Sequence, residues 1–180
     1  KSLQTQGIAV ETGVKVSSVK TKGRKVEVRC QGDGEESVEI VDKVLMAVGV
    51  GANVQGLGLE ALGIRMERGA IQVNGRLETS VKGISAIGDV VGPPQLAHMA
   101  SAEAVAAVEF IAGKERAEID RSNIPSCTYC QPQVASVGMT EGEAKAAGHK
   151  VKVGRFPFMA SGKAQAVGDT EGLVKLIFDE

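Results

Sequence analysis

Gly83-Ile84-Ser85-Ala86-Ile87-Gly88-Asp89-Val90-Val91-Gly92-Pro93-Pro94-Gln95-Leu96-Ala97-His98 is the stretch around which the chain is organised, and a helical run over residues 99–111 follows it. A short apolar strand ends in Gly88-Asp89, a Gly/Pro turn follows, and a helix begins. That order makes a compact place to hold a ligand. Glycine lets a ligand approach the backbone, and a carboxylate at a strand end accepts hydrogen bonds from the hydroxyls of a sugar or polyol. The amides around Gln95, Leu96, Ala97 and His98 are unpaired donors at a helix N-terminus, whose dipole favours negative charge. Taken alone, Gly-Asp also suits an aspartate that only serves turn geometry. From Leu96 to Ile111 only His98, Ser101, Glu103 and Glu109 interrupt apolar and alanine positions. This predicts a helix buried on most sides and ended by Gly113.

The rest of the chain reads as support. Its 180 residues carry 21 Lys and Arg against 22 Asp and Glu, a balance that leaves no electrostatic footprint for nucleic acid. No apolar run long enough to span a bilayer and no charged-then-apolar leader is visible, so a soluble, cytoplasmic protein is expected, without nucleic-acid or membrane partners. The 23 glycines, with one Tyr, four Phe and no Trp, suit an α/β domain with many tight turns. Three cysteines do not make a disulfide framework.

Taken in order, residues 1–7 read as the tail of a helix ended by glycine, so the protein is expected to start earlier. Val14, Val16 and Val19 lead to a turn at Lys22-Gly23. Val26 and Val28 alternate with Lys25, Glu27 and Arg29, and after Gly32-Asp33-Gly34 the alternation resumes at Val38 and Ile40. This predicts an antiparallel meander with one wet face. Val44-Leu45-Met46-Ala47-Val48-Gly49 is instead a continuous apolar run, the pattern of a buried strand delivering its C-terminal end to a site. A short helix is expected over residues 56–62, stopped by Gly63, and a short strand at Ile71 and Val73 before the turn Asn74-Gly75.

The charged run over residues 114–121 reads as a solvated connection and a boundary. Beyond it, residues 134–137 make a strand, and Thr140-Glu141-Gly142-Glu143 has the spacing of a capping box. The short helix that follows ends at Gly148. Val151, Val153 and Phe156 form a further strand, residues 168–172 a polar loop, and residues 173–178 another strand. The sequence stops directly after that strand, so a chain cut at both ends is expected.

Ala86-Ile87-Gly88-Asp89-Val90-Val91 with Leu96-Ala97-His98 resembles the second flavin-binding motif of the pyridine nucleotide-disulfide oxidoreductases. Leu-Ala-His ahead of an alanine-rich helix is more similar to the dihydrolipoyl dehydrogenase branch than to glutathione or mercuric reductase. Tyr129-Cys130-Gln131-Pro132-Gln133-Val134-Ala135-Ser136-Val137-Gly138-Met139-Thr140-Glu141, then Phe156-Pro157-Phe158 and Gly168-Asp169-Thr170-Glu171-Gly172, resemble the start of that family's dimer-forming domain. The resemblance runs in order over essentially the whole chain. It implies an α/β (α+β) fold: a FAD/NAD(P)-binding-type domain fragment with an antiparallel β-meander, plus the start of an α+β dimerisation domain. Residues 1–51 would then be the C-terminal part of the NAD-binding domain, 52–118 the central FAD-contacting domain, and 119–180 the N-terminal part of the interface domain.

The resemblance also implies chemistry. In the intact enzyme dihydrolipoamide reduces a disulfide, electrons pass to FAD, and hydride leaves to NAD+. That enzyme is a homodimer that meets the lipoyl domains of 2-oxoacid dehydrogenase complexes. By position, Gly88 and Asp89 would meet the ribityl chain of FAD, and Gln95, Leu96, Ala97 and His98 would line the flavin's pyrimidine edge, mainly through backbone. Gly49 would sit where a strand end approaches the nicotinamide nucleotide. Here the chain departs from the family, which usually continues with Arg and Pro where this sequence has Val50-Gly51-Ala52-Asn53. A glycine needed only to leave the sheet is the alternative for Gly49.

Other candidates carry less. No second acid-base partner is visible near His98, which reads as a hydrogen-bonded structural group beside the flavin. Cys127-Thr128-Tyr129-Cys130 is a C-x-x-C, but zinc needs two more ligands and a thioredoxin-like pair opens a helix, whereas this one precedes a strand. Cys30 is a lone strand residue. Lys163 stands where the family often has a basic residue, and a loop salt bridge is its plain explanation. The chain holds no G-x-G-x-x-G, no redox pair with four intervening residues and no His-Glu base. No catalytic or metal-binding residue is therefore assigned, and the chain alone is expected not to turn over lipoamide. A fragment of a mercuric or glutathione reductase-like enzyme, or a non-catalytic assembly module, is the competing reading.

Overall fold

The computed structural model describes residues 2–32 and 34–180. The chain divides into two units, residues 1–50 and 51–180. The first opens with a helical turn, α1 (Ser2–Thr5), closed by Gly7, as its sequence predicts. Strands β1 (Lys15–Lys22), β2 (Lys25–Gly32) and β3 (Glu35–Val41) follow as an antiparallel meander in the order β1-β2-β3. Lys1, and Asp33 within the turn expected at Gly32-Asp33-Gly34, lie outside the described residues.

The meander is present, but its expected division into a dry and a wet face is not. Register sets Val19 opposite Val28, yet it sets Val38 opposite Arg29 and Ile40 opposite Glu27. Residues opposite each other share a face, so Val38 and Ile40 stand on the charged side of β2, while Val41 faces Val26. Glu27 is consequently buried there, ion-paired with Lys22 and Arg29. The hydrogen bond from Lys22 is the main cause that holds its carboxyl below the ordinary range.

The apolar run over residues 44–49 is not a strand. Leu45 is 90% and Val48 86% exposed. A strand needs a neighbour to satisfy its ladder, and among the described residues none pairs with this run.

The second unit holds the core. One cluster joins Leu77, Ala106, Ala107 and Phe110, with Val73, Ile87 and Ile119 against it. The other joins Leu59, Ile64 and Ile71, with Ile84, Ala86 and Val90 among its neighbours, and Val73 touches both. Residues 56–62 form turns rather than a helix: Leu62 N–H reaches Gly58 O, and Gly63 and Ile64 close back on Glu60 and Leu59. That last pair of bonds is the glycine-terminated helix stop, applied to a single turn. Strands β4 (Met66–Glu67) and β5 (Ala70–Ile71) make a minimal hairpin that ends before Val73. The apolar strand expected before Gly88 is reduced to one bridge between Glu78 and Ser85, flanked by the bonds Thr79 N–H to Ile84 O and Ala86 N–H to Leu77 O.

Helix α2 (Ala97–Ile111) is stopped at Gly113 as expected. Its burial is narrower than its composition suggests: Met99, Glu103, Ala106, Ala107 and Phe110 form one buried stripe, while Val105, Val108 and Ile111 are exposed. The described elements cover only the side bearing that stripe. Arg76 lies over the Phe110 ring, 4.6 Å from its centroid.

After the connection, β6 (Ser126–Thr128) pairs with β7 (Val134–Ser136), and β8 (Val151–Pro157) with β9 (Leu173–Asp179). Helix α3 (Glu141–Ala146) carries the expected capping box in both directions between Thr140 and Glu143. Helix α4 (Gly162–Val167), N-capped by Ser161, has no counterpart in the sequence reading. It places Lys163 on a helix, with no ion pair among the described residues, instead of in a salt-bridged loop.

Two outcomes follow for the protein that carries this chain. Phe110→Ala removes the largest side chain of the first cluster and is expected to cost about 3–5 kcal/mol, read as a fall in denaturant midpoint. Glu141 meets Lys145, Lys175 and Arg155, and the hydrogen bond from Lys145, followed by that from Lys175, lowers its carboxyl from 4.5 to about 2. A depressed folded pKa contributes stability above the unfolded value that is lost as pH falls through the folded one. Glu141→Gln should therefore flatten the acid limb of the melting temperature between pH 4.5 and about 2, leaving the neutral limb parallel to wild type.

Candidate functional site

Residues 88–98 build a site from three backbone devices. Gly88 adopts φ +75 and opens a 3-10 turn over Gly88–Val91. A Cβ there would stand 3.4 Å from Ala100 Cβ, so the loop lies directly on α2. Gly92, at φ +93, is as close to Ala70 Cβ on the other side. Both glycines hold a positive φ that strains a residue with a side chain, and a Cβ at either would reach van der Waals contact with its neighbour.

Between them stands Asp89, exposed, its carboxylate bonded to nothing among the described residues. Its main-chain oxygen is occupied, accepting from Gly92 N–H at 3.3 Å and from Gln95 Nε2 at 3.3 Å. The side chain of Gln95 thus ties the loop shut, and Asp89 presents two free acceptor oxygens.

The third device is the start of α2. Leu96 is its N-cap and offers no side-chain acceptor. Ala100 N–H bonds to Leu96 O, but the amides of Ala97, His98 and Met99 meet no acceptor among the described residues. A 15-residue helix aims its positive end at the space beside the loop, with donors to spare. The His98 ring points elsewhere: its Nε2 donates to Pro125 O at 2.8 Å, fixing the tautomer and fastening the connection to the helix start. This is the structural role expected of it. His98 also lines a cleft of about 1000 Å³ bordered by β7 and β9, to which Asp89 does not contribute.

Of the residues selected from sequence, Gly88, Asp89, Gln95, Leu96, Ala97 and His98 meet in this one place. Gly49 lies in the first unit, at φ +95 with open space where a Cβ would stand. Cys127 falls in β6 and Cys130 in the turn after it, where its thiol donates to Pro132 O at 2.9 Å; both are free thiols. No group of three metal-binding side chains occurs among the described residues.

Two residues escaped the sequence reading. Glu103 is 1% exposed, accepts from Gly88 N–H through Oε2 at 2.7 Å, and pairs through Oε1 with Arg121 Nη2 at 2.6 Å. An acid flanked by alanines inside an otherwise apolar stretch of the helix was the available signal. Its partners, 15 residues before and 18 after, were not readable from spacing.

The surroundings fit a flavin's polyol and pyrimidine parts. Polyol hydroxyls would find an acceptor in the unpartnered Asp89 carboxylate, carbonyl and ring nitrogen acceptors would find donors in the unpartnered amides, and both glycines would let the ligand lie against backbone.

The chain matches known proteins along most of its length. Residues 1–104 match the family described as pyridine nucleotide-disulphide oxidoreductase, and residues 124–180 its dimerisation domain. The chain is 46% identical to the dihydrolipoyl dehydrogenase of Rhizobium etli and 48% to that of Chlorobaculum tepidum, covering 100% and 99% of this chain. It spans 38% of the length of each. Among solved structures, LpdA from Mycobacterium tuberculosis superposes with TM-score 0.87 at 26% identity, covering 99% of this chain and 39% of that one. The HOCl-induced flavoprotein disulfide reductase RclA from Escherichia coli superposes with TM-score 0.84 at 28% identity, over 98% of this chain and 40% of that one.

Gly88→Ala should cost about 1–2 kcal/mol in unfolding free energy, because alanine must hold the left-handed backbone while its methyl meets Ala100. Ala100→Gly, which removes the contact but not the backbone constraint, should recover little of that loss.

Proposed function

Because the chain belongs to the pyridine nucleotide-disulphide oxidoreductase family, we propose that it is part of a dihydrolipoyl dehydrogenase and that it supplies the ribityl and pyrimidine side of the FAD site. The observation that carries the substrate class is identity of 42–48% to dihydrolipoyl dehydrogenases over 98–100% of this chain. FAD, when bound, supplies a two-electron carrier between a dithiol and NAD+.

The chain's own residues bind, orient and polarise. Asp89 accepts hydrogen bonds from the polyol hydroxyls and thereby fixes the cofactor along the loop. Gly88 and Gly92 keep the backbone low enough for close approach. The free amides of Ala97 and His98, with Gln95 and Leu96 shaping the entrance, place fixed dipoles where negative charge develops on reduction, a stabilisation that needs no reorganisation at the moment of transfer. Gly49 serves the nicotinamide nucleotide in this reading, supported by its left-handed turn and open surroundings.

The division into residues 1–51, 52–118 and 119–180 follows the same assignment: NAD domain, FAD-contacting domain, interface domain. A homodimer formed through residues 119–180 and lipoyl domains of 2-oxoacid dehydrogenase complexes are the partners it implies. A cytoplasmic location fits three free thiols. No helix among the described residues is long and apolar enough to cross a membrane.

The full-length protein should be yellow, retain FAD through gel filtration and reduce NAD+ with dihydrolipoamide. Asp89→Ala should raise its FAD dissociation constant about tenfold, the loss of a hydrogen bond to a charged group. A colourless protein that stays inactive after flavin loading, or one reducing glutathione disulfide or Hg(II) in preference, refutes the assignment.

A further inference from the structure

We infer that Glu103 and Arg121 form a clamp that positions the loop carrying Asp89 for FAD, an inference that rests on the flavin reading above. Glu103 lies in the middle of the buried stripe of α2 and is almost wholly withdrawn from water. Such a carboxylate is tolerated only where both oxygens find donors. One donor is Gly88 N–H, the residue immediately before Asp89; the other is the Arg121 guanidinium. Arg121 then reaches the far end of the same loop, its Nη1 standing 3.4 Å from Pro93 O, one residue past Gly92.

A single ion pair thus holds both ends of loop 88–92. The Asp89 side chain takes no part in holding it, so its aim is set by the backbone, which Glu103 and Arg121 secure at the two ends and Gln95 ties at Asp89 O. Neither residue is assigned to the cofactor, which makes them positioning residues. Arg121 also stands three residues ahead of the region matching the dimerisation domain, so arrival of that region and setting of the flavin loop share one contact.

A packing role and a positioning role separate by chemistry. A buried ion pair that only fills space can be replaced by an isostere with the site unharmed. Glu103→Gln keeps shape but supplies one acceptor and an NH2 group, so either Gly88 N–H or Arg121 faces a donor. Arg121 is 41% exposed, and its replacement by methionine keeps the stem, removes the contact to Pro93 O and leaves Glu103 Oε1 without its donor.

In the full-length flavoprotein, FAD dissociation constants by flavin fluorescence and the visible circular dichroism of bound flavin are measured for Glu103→Gln, Arg121→Met and Arg121→Lys, below the melting temperature of each apo-protein. Glu103→Gln and Arg121→Met should each weaken FAD about tenfold and alter the flavin dichroism, while Arg121→Lys, which keeps the charge beside Glu103, stays within about threefold of wild type. Lower melting temperatures with wild-type affinity and dichroism overturn the clamp and leave a packing pair. If Glu103→Gln does not fold, Arg121→Met decides: unchanged affinity refutes the inference. A wild-type protein that binds no FAD refutes the flavin reading and the clamp together.

Discussion

The burial of the Glu103 carboxylate is the constraint on which the second unit depends. A charge taken out of water demands fixed donors. Those donors come from the loop at Gly88 on one side and from the connection at Arg121 on the other. Three segments far apart in sequence therefore converge on one helix position. The first apolar cluster packs around the same stretch of α2, with Ile87 and Ile119 flanking the residues that reach Glu103. Apolar burial supplies the general attraction; the carboxylate selects which backbone atoms meet.

Around that centre, groups that folding normally satisfies are left open in one place. Helix α3 has the amides of Thr140 and Glu143 met by a reciprocal capping box, and α4 is capped by Ser161. Helix α2, the longest, begins at Leu96 with no side-chain cap, next to a carboxylate that has no partner among the described residues. Uncapped amides and a free acid forgo stabilisation that a serine or aspartate at the cap would contribute. Their coincidence on one face, beside two glycines whose backbone approaches its neighbours closely, is the arrangement a polar ligand needs.

The two units differ in how much of their apolar surface the described residues cover. The second has two clusters, whereas the first buries chiefly Glu27 and leaves residues 44–50 exposed. The same holds for Val105, Val108 and Ile111 on α2. The run over residues 44–49 forms a strand where a neighbouring strand is supplied, and none of the described residues supplies one.

The sequence by itself determined what depends on local geometry. The capping box at Thr140, the glycine stops at Gly7, Gly63, Gly113 and Gly148, and the hairpin turn at Lys22-Gly23 follow from interactions within about six residues, and all are present. Gly88, Asp89 and the start of α2 were legible for the same reason. Tertiary structure decided the rest. The register of β3 against β2 sent Val38 and Ile40 to the charged face, because cross-strand partners, and not alternation within one strand, choose the face. The run over residues 44–49 is apolar enough for a buried strand, yet a strand exists only where another pairs with it. Glu103 looked like an interruption in an apolar helix; only the folded chain shows Gly88 and Arg121 closing on it, since a long-range ion pair leaves no spacing to read.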